Sequence, residues 1–352
     1  MVQSEVEDKS VPTITPHDTR YLFVLPFSTD RELARHFLVS ERDIAGNIRF
    51  GKLLETLDKV AENTALAYVH RFYPTARVVT AAIDSIIVRN PADTMHDLVF
   101  SAQINHVGKS SVEVGIRVEH LGGRSCHVAS CYFTMVARST DCNEAKSLTL
   151  PPLDYRSDLE KKRYNKANIR RQNYRDTLVK AEEMPSLDEY LFLKGLHKEQ
   201  ENPVFNGILA KDLLLESHCR AYPDQENVPR TIFGGYLIRR AYEVAALAAE
   251  MIAPDRVIPC MVNRINFNQP VLLGDQLKFS ARVVYTGKTT ISVQSDIERF
   301  NRGAGEKALS NSCLFTFTNV DNEMNSRKVP FIYPTTYAED ARFLNAYRQR
   351  ID

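Results

Sequence analysis

No apolar run in this 352-residue chain approaches the roughly eighteen residues a membrane-crossing helix needs, so no span is expected. No two of its six cysteines, Cys126, Cys131, Cys142, Cys219, Cys260 and Cys313, form a C-x-x-C pair. That spacing argues against a zinc site or a disulfide framework and for reduced core thiols in an intracellular protein. H-E-x-x-H and G-x-S-x-G are both missing, and with them the zincin site and the nucleophile elbow. An excess of charge is missing too: 45 Lys+Arg against 44 Asp+Glu leave +1. Nothing global therefore points to nucleic acid or to an anionic membrane. The first residues place Glu5, Glu7 and Asp8 ahead of Lys9, unlike a signal peptide or an Arg-rich transit peptide.

What the chain does contain is itself, twice. Asp84–Val114 overlies Asn263–Val293 at a constant offset of 179 (263 − 84). Pro91 then meets Pro270, Phe100-Ser101-Ala102 meets Phe279-Ser280-Ala281, and Gly108-Lys109-Ser110-Ser111 meets Gly287-Lys288-Thr289-Thr290. Two copies are too few for a solenoid and suggest two like domains packed face to face, as in a fused homodimer. A site at their interface would draw residues from both.

Each copy reads as one helix and then a meander of strands. A helix is expected from Asn47 to about Phe72, with strands over Ala76–Arg89, Asp97–His106, Ser111–His120 and His127–Ala137. Gly108-Lys109 and Gly122-Gly123 supply turns. The second copy repeats this with a helix over Phe233–Met251 and strands near Val257–Asn268, Gln276–Tyr285, Thr290–Phe300 and Lys307–Thr318. This is an α+β arrangement with a sheet packed on a helix. The expected divisions are a polar tail (1–20), domain 1 (21–140), a charged helical linker (141–205), domain 2 (206–325) and a C-terminal tail (326–352). Ser157-x-x-Glu160 and Ser186-x-x-Glu189 read as capping boxes in the linker. Its first helix carries Arg163, Lys166, Arg170, Arg171, Arg175 and Lys180 with Tyr164 and Tyr174. That pattern suits a surface for RNA or phosphate groups, but a solvated connecting helix is the simpler reading.

Four features carry possible chemistry. Asp58 shares a helix face with Leu54 and Ala61, so its carboxylate is either partly desolvated, with a raised pKa suited to a base or nucleophile, or a stripe-edge acid that reaches solvent or pairs with a cation brought close by the fold. Asn47 precedes the same helix and can offer an amide, or simply cap it. Thr231-Ile232-Phe233-Gly234-Gly235 opens the second helix, where two glycines and free N–H groups admit a thioester oxygen or phosphate, or serve only tight packing. The Gly108-Lys109 and Gly287-Lys288 turns lack the first glycine of a P-loop; their lysines suit phosphate binding and solvated hairpin tips equally.

Taken in this order and twice over, these segments resemble the tandem-domain hotdog acyl-CoA thioesterases of the mitochondrial type. The resemblance runs from about Tyr21 to Tyr337 and is carried by Asn47–Asp58, Val107–Val114, Phe133–Arg138 and Ile232–Leu237. It implies a long helix wrapped by a curved antiparallel sheet in each domain, the sheets joined edge to edge. It also implies acyl-CoA in the groove between domains, a homo-oligomer built as a trimer of such pairs, a role in fatty acid and lipid metabolism, and a mitochondrial location, with cytoplasm the alternative since no presequence is visible. By the same resemblance Asn47 matches the family's helix-start Asn and Asp58 its acid.

The second copy departs from that pattern. Its register at the helix start is 183 or 184, so Asn47 meets Arg230 or Thr231 and Asp58 meets Ala241 or Tyr242. The nearest acid, Glu243, can pair with Arg239. At most one fully equipped site is expected, either Asn47 with Glu243 or Asp58 with Arg230/Thr231. The resulting expectation is an acyl-CoA hydrolase. Asp58 or Glu243 activates water, Gly234 and Gly235 with Asn47 hold the oxyanion, and Lys109 and Lys288 help hold the CoA phosphates. No metal or other cofactor is called for, coenzyme A being part of the substrate. A non-catalytic acyl-CoA or nucleotide-binding module is the alternative.

Overall fold

A computed structural model describes residues 13–350 except 42–43, 45, 122–125, 140–145, 182–183, 229–230 and 302, with the backbone alone at 174–181 and 226–228. Gly122, Gly123, Cys142 and Arg230, and the side chains of Tyr174, Arg175 and Lys180, therefore lie outside the described residues. The helices are α1 (Arg31–Phe37), α2 (Phe50–Val69), α3 (Asp158–Ala181), α4 (Leu187–Gln200), α5 (Gly234–Glu250) and α6 (Tyr337–Arg348). The first repeat's strands are β1 (Tyr21–Leu25), β2 (Arg77–Ile83), β3 (Ile86–Val88), β4 (Asp97–Val107), β5 (Ser111–Leu121) and β6 (Cys126–Arg138). Then come β7 (Ile208–Leu209), β8 (Leu214–Arg220), β9 (Glu226–Val228), β10 (Thr231–Ile232), β11 (Arg256–Val262) and β12 (Ile265–Asn266). The last are β13 (Gln276–Thr286), β14 (Thr290–Asn301), β15 (Glu306–Val320) and β16 (Ile332–Tyr333).

Helices α2 and α5 form because apolar residues return every three or four positions. In α2, Leu53, Leu54, Leu57, Val60, Ala61, Ala65 and Tyr68 are buried, and in α5 Leu237, Ile238, Ala241, Ala245, Ala248 and Ala249 are. Each presses that stripe into an antiparallel meander, β4-β5-β6 around α2 and β13-β14-β15 around α5. Strands β1 and β8 add to the outer edges.

One continuous sheet joins the halves. The expected strands Ala76–Arg89 and Val257–Asn268 are both broken, into β2/β3 and β11/β12. The break lets each half-strand pair across the seam: Ile86 faces Val262, and Ile83 faces Ile265. Adding 179 to one pair gives the other, so a pseudo-twofold axis passes through the break. There Arg264 reaches Asp84 at 2.7 Å.

The expected tails differ from what is observed. Pro16–Thr19 form a 3-10 turn with Thr19 buried, its hydroxyl accepting the Ile104 N–H at 2.9 Å. The C-terminal stretch is a packed helix, α6, with Phe343 at 0% exposure. Phe343 and Leu344 meet Leu193 and Leu196 of α4 over Tyr285 of β13. The signal was present: Thr336 accepts from the Glu339 N–H as the N-cap. The linker helix α3 is not merely solvated. Arg170 stacks 3.5 Å from the Tyr132 ring and pairs with Glu113 and Asp84, which docks α3 on the outer face of the first sheet.

Candidate active site

The two helices meet start to side at the seam. A Cβ at Gly51 would lie 3.2 Å from Arg239 and 3.3 Å from Tyr242, and one at Gly235 would lie 3.1 Å from Asp58 Cβ. The contacts Gly51–Tyr242 and Gly235–Asp58 are mates at offset 184, which settles the register sequence left open. Asp58 corresponds to Tyr242, Asn47 to Thr231, and Gly234 to Phe50.

The Asp58 side of the seam carries a buried acid. Asp58 is 0% exposed, in the middle of the apolar face of α2. Thr80 of β2 donates its hydroxyl to Asp58 Oδ1 at 2.6 Å. Oδ2 has no hydrogen-bond partner among the described residues, and it lies 3.4 Å from where a Cβ of Gly234 would stand. Burial pushes the Asp58 pKa from 3.8 up to about 7; Thr80 holds it back, Glu62 adds to the rise, and the nearby Gly235 N–H and Lys59 partly offset it. The Gly235 N–H leans towards the carboxylate without completing a hydrogen bond to Oδ2.

Gly234 and Gly235 open α5, and the N-cap Phe233 gives no side-chain hydrogen bond. The first N–H groups of a helix lack intrahelical partners and carry the positive end of its dipole. Side chains are excluded here. A Cβ on Gly234 would stand 3.0 Å from the Phe267 ring, and one on Gly235 2.6 Å from the Phe233 ring. A cavity of about 650 Å³ is lined by residues of α2 and α5 and by the N-cap Phe233, though not by Asp58, Gly234 or Gly235 themselves. Phe23, Leu25, Leu33, Phe37 and Val60 line it with apolar surface; its charged lining is mixed, Lys52, Lys59 and Arg239 with Glu55 and Asp224, and Lys52 and Arg239 pair with Glu55 while Lys59 pairs with Glu62.

The opposite side of the seam lacks these parts. Tyr242 replaces the acid and packs on Phe50, Phe315 and Phe317. Pro259, the counterpart of Thr80, has no hydroxyl. Asn47 is buried with its amide engaged by Ser40: Nδ2 donates to the Ser40 carbonyl at 2.7 Å and Oδ1 accepts the Ser40 N–H at 3.1 Å. Glu243 is held by Arg49 at 2.8 Å and Arg240 at 3.2 Å, so it pairs with these and not with Arg239, which reaches Glu55. The structure thus brings Asp58, Gly234 and Gly235 together, and leaves Asn47 and Glu243 on other partners. Thr231 pairs in β10 close by. Lys109 and Lys288 sit exposed at hairpin tips and are not among the residues lining the 650 Å³ cavity. Their glycines are tight-turn residues, a Cβ on Gly108 or Gly287 falling 2.9 Å from the Ser111 hydroxyl or 2.6 Å from that of Thr290. Thr80 was invisible in the sequence, since a threonine on a strand is ordinary β-sheet composition.

Two helix-in-sheet repeats sharing one sheet, with one buried acid facing the start of the other repeat's helix, define a tandem hotdog protein. The chain belongs to the thioesterase superfamily, whose family model matches residues 53–127 and 230–305, once in each repeat. It is 29% identical over 345 residues to human acyl-coenzyme A thioesterase 9, mitochondrial, covering 92% of this chain and 75% of that one. Protein VdlD of Helicobacter pylori is 31% identical over 161 residues, 44% of this chain and 87% of that protein. The solved structure of a putative oleoyl thioesterase from Lactobacillus plantarum superposes with a TM-score of 0.50 at 8% identity, over 85% of this chain and 96% of that one. At that identity it bears on the fold alone.

Proposed function

We propose that the chain hydrolyses fatty acyl-CoA thioesters, with Asp58 as the base at its one equipped seam. The observation that carries this reading is Asp58 Oδ2, a buried carboxylate oxygen free of hydrogen bonds among the described residues and aimed at the start of α5. A carboxylate with a pKa of about 7 takes a proton readily at neutral pH. Thr80 fixes one oxygen, leaving the other to draw a proton from water. That water attacks the thioester carbonyl carbon. The Gly234 and Gly235 N–H groups receive the negative charge on the carbonyl oxygen, where one such donor is typically worth about 3–4 kcal/mol. Collapse of the tetrahedral centre breaks the carbon–sulfur bond. The proton passes from Asp58 to the departing sulfur, giving a fatty acid and coenzyme A. The apolar side chains of the cavity lined by Phe23, Leu25 and Phe37 suit the acyl chain.

The relatives named acyl-CoA thioesterases support this reading, and their names also favour a mitochondrial location. Assembly as a trimer of double hotdogs belongs to the same proposal. Among the described residues, no helix is long and apolar enough to cross a membrane. The test is turnover by the purified chain on acyl-CoA thioesters of graded length. Hydrolysis of some length is expected; binding without turnover across the panel would make the chain a binding module instead.

Thr80→Val gives a sharper check on the base. It removes the donor that favours ionised Asp58, so the midpoint of the rise of kcat/KM with pH should move up from about 7 by roughly one unit. Activity at pH 7 should fall about fivefold, recovering at higher pH. An unmoved midpoint would show that the titrating group is not the one Thr80 touches.

A further inference from the structure

A second cavity, of about 510 Å³, lies away from the Asp58 seam, between α3 and the outer face of the first sheet. It falls in the size range of small-molecule sites. Five cations line it, Arg20, Arg117, Arg163, Lys166 and Arg170, and its lining contains no carboxylate. Two of the five are neutralised: Arg170 by Glu113 and Asp84, and Arg117 by Glu119. The other three, Arg20, Arg163 and Lys166, have no ion-pair partner among the described residues. Arg163, Lys166 and Arg170 stand at i, i+3 and i+7 and so share the face of α3 turned to the sheet.

The floor of the cavity is polar. Ser101 and Gln103 of β4 and Ser130 of β6 line it. Gly115 and Asn105 also line it, packed so closely that a Cβ on Gly115 would come 2.3 Å from Asn105 Nδ2. Three uncompensated cations facing a recess with hydroxyl and amide groups ask for a compact polyanion with a hydrogen-bonding body.

We propose that this cavity binds a nucleotide carrying two or more phosphates, the phosphates on Arg163, Lys166 and Arg20 and the ribose and base over Ser101, Gln103 and Ser130. The cavity lies across the sheet from Asp58, whose helix packs on the inner face. The nucleotide is either a free effector or the adenosine phosphate end of coenzyme A, and the test separates the two.

The experiment measures binding of ADP, inorganic pyrophosphate and coenzyme A by calorimetry to the whole chain and to Arg163→Gln/Lys166→Gln. ADP should bind the native chain, more weakly at high salt, and the double variant should lose at least tenfold in affinity. If acyl-CoA hydrolysis without added nucleotide keeps its KM in the variant, the site serves a free nucleotide. If KM rises in step with the loss of coenzyme A affinity, it holds the substrate's own nucleotide end. Absence of ADP binding to the native chain, or equal binding to both proteins, overturns the proposal. So does a changed oligomeric state of the variant with ADP affinity intact, which would make the recess a contact between copies. The binding readout needs no turnover, so its failure is distinct from failure of the hydrolase reading.

Discussion

Asp58→Asn is expected to lower kcat/KM for acyl-CoA about 10³-fold and, at pH 8, to make the protein more stable. The first effect is the loss of the base, whose contribution is typically 10²- to 10⁴-fold. The second follows from burial. The folded-state pKa of Asp58 is raised from 3.8 to about 7, so folding takes up a proton between those values. The stability this represents is present in full below about pH 4 and is lost as pH rises through 7. A rise of about three units corresponds to about 4 kcal/mol as an upper figure. An amide carries no charge to bury, so the variant should keep at pH 8 what the native chain loses, and differ little at pH 4. Urea unfolding at the two pH values, beside turnover, reads both effects. A variant that is inactive but equally destabilised at both pH values would show only a damaged core.

Gly234→Val should cost about 10²-fold in kcat/KM while α5 still forms. The Gly234 position faces Asp58 Oδ2 at 3.4 Å and the Phe267 ring at 3.0 Å. Branched methyls there fill the space that water and the thioester carbonyl must share, and they turn the first amides of α5 away from the developing oxyanion. The other seam supplies the comparison, because Phe50 already occupies the equivalent position beside Tyr242. Gly51→Ala, which crowds Arg239 and Tyr242, should cost stability and leave kcat/KM largely unchanged. Equal losses from both substitutions would mean that the seams do not differ in function.

These expectations trace back to sequence unevenly. Asp58 was legible as a candidate because a carboxylate three and four residues from apolar neighbours sits on the apolar face of a helix, although the same spacing also fits a stripe-edge acid reaching solvent. The Gly234-Gly235 doublet was legible as a helix start open to a ligand, yet the doublet itself blurred the register, since either glycine can stand opposite Gly51. Only the packing of Gly235 on Asp58 settles it. Asn47 drew attention as an amide beside a helix start, but its hydrogen bonds to Ser40 depend on how the preceding chain folds back. Glu243 looked able to pair with Arg239, but its partners are Arg240 and Arg49, the latter 194 residues away in sequence. Thr80 and the docking of Arg170 on Tyr132 are contacts between distant elements of ordinary composition, and local pattern carries no trace of them.

The most direct test of a water-activating acid at one seam is hydrolysis by Asp58→Asn and Glu243→Gln, assayed in parallel at pH 8 on the same acyl-CoA panel. Glu243 is partly exposed and paired with two arginines, so its neutralisation should cost about 1 kcal/mol of stability or less and leave turnover within a few-fold. Collapse of turnover in Asp58→Asn alone is the predicted result. Collapse in Glu243→Gln with Asp58→Asn still active would contradict it.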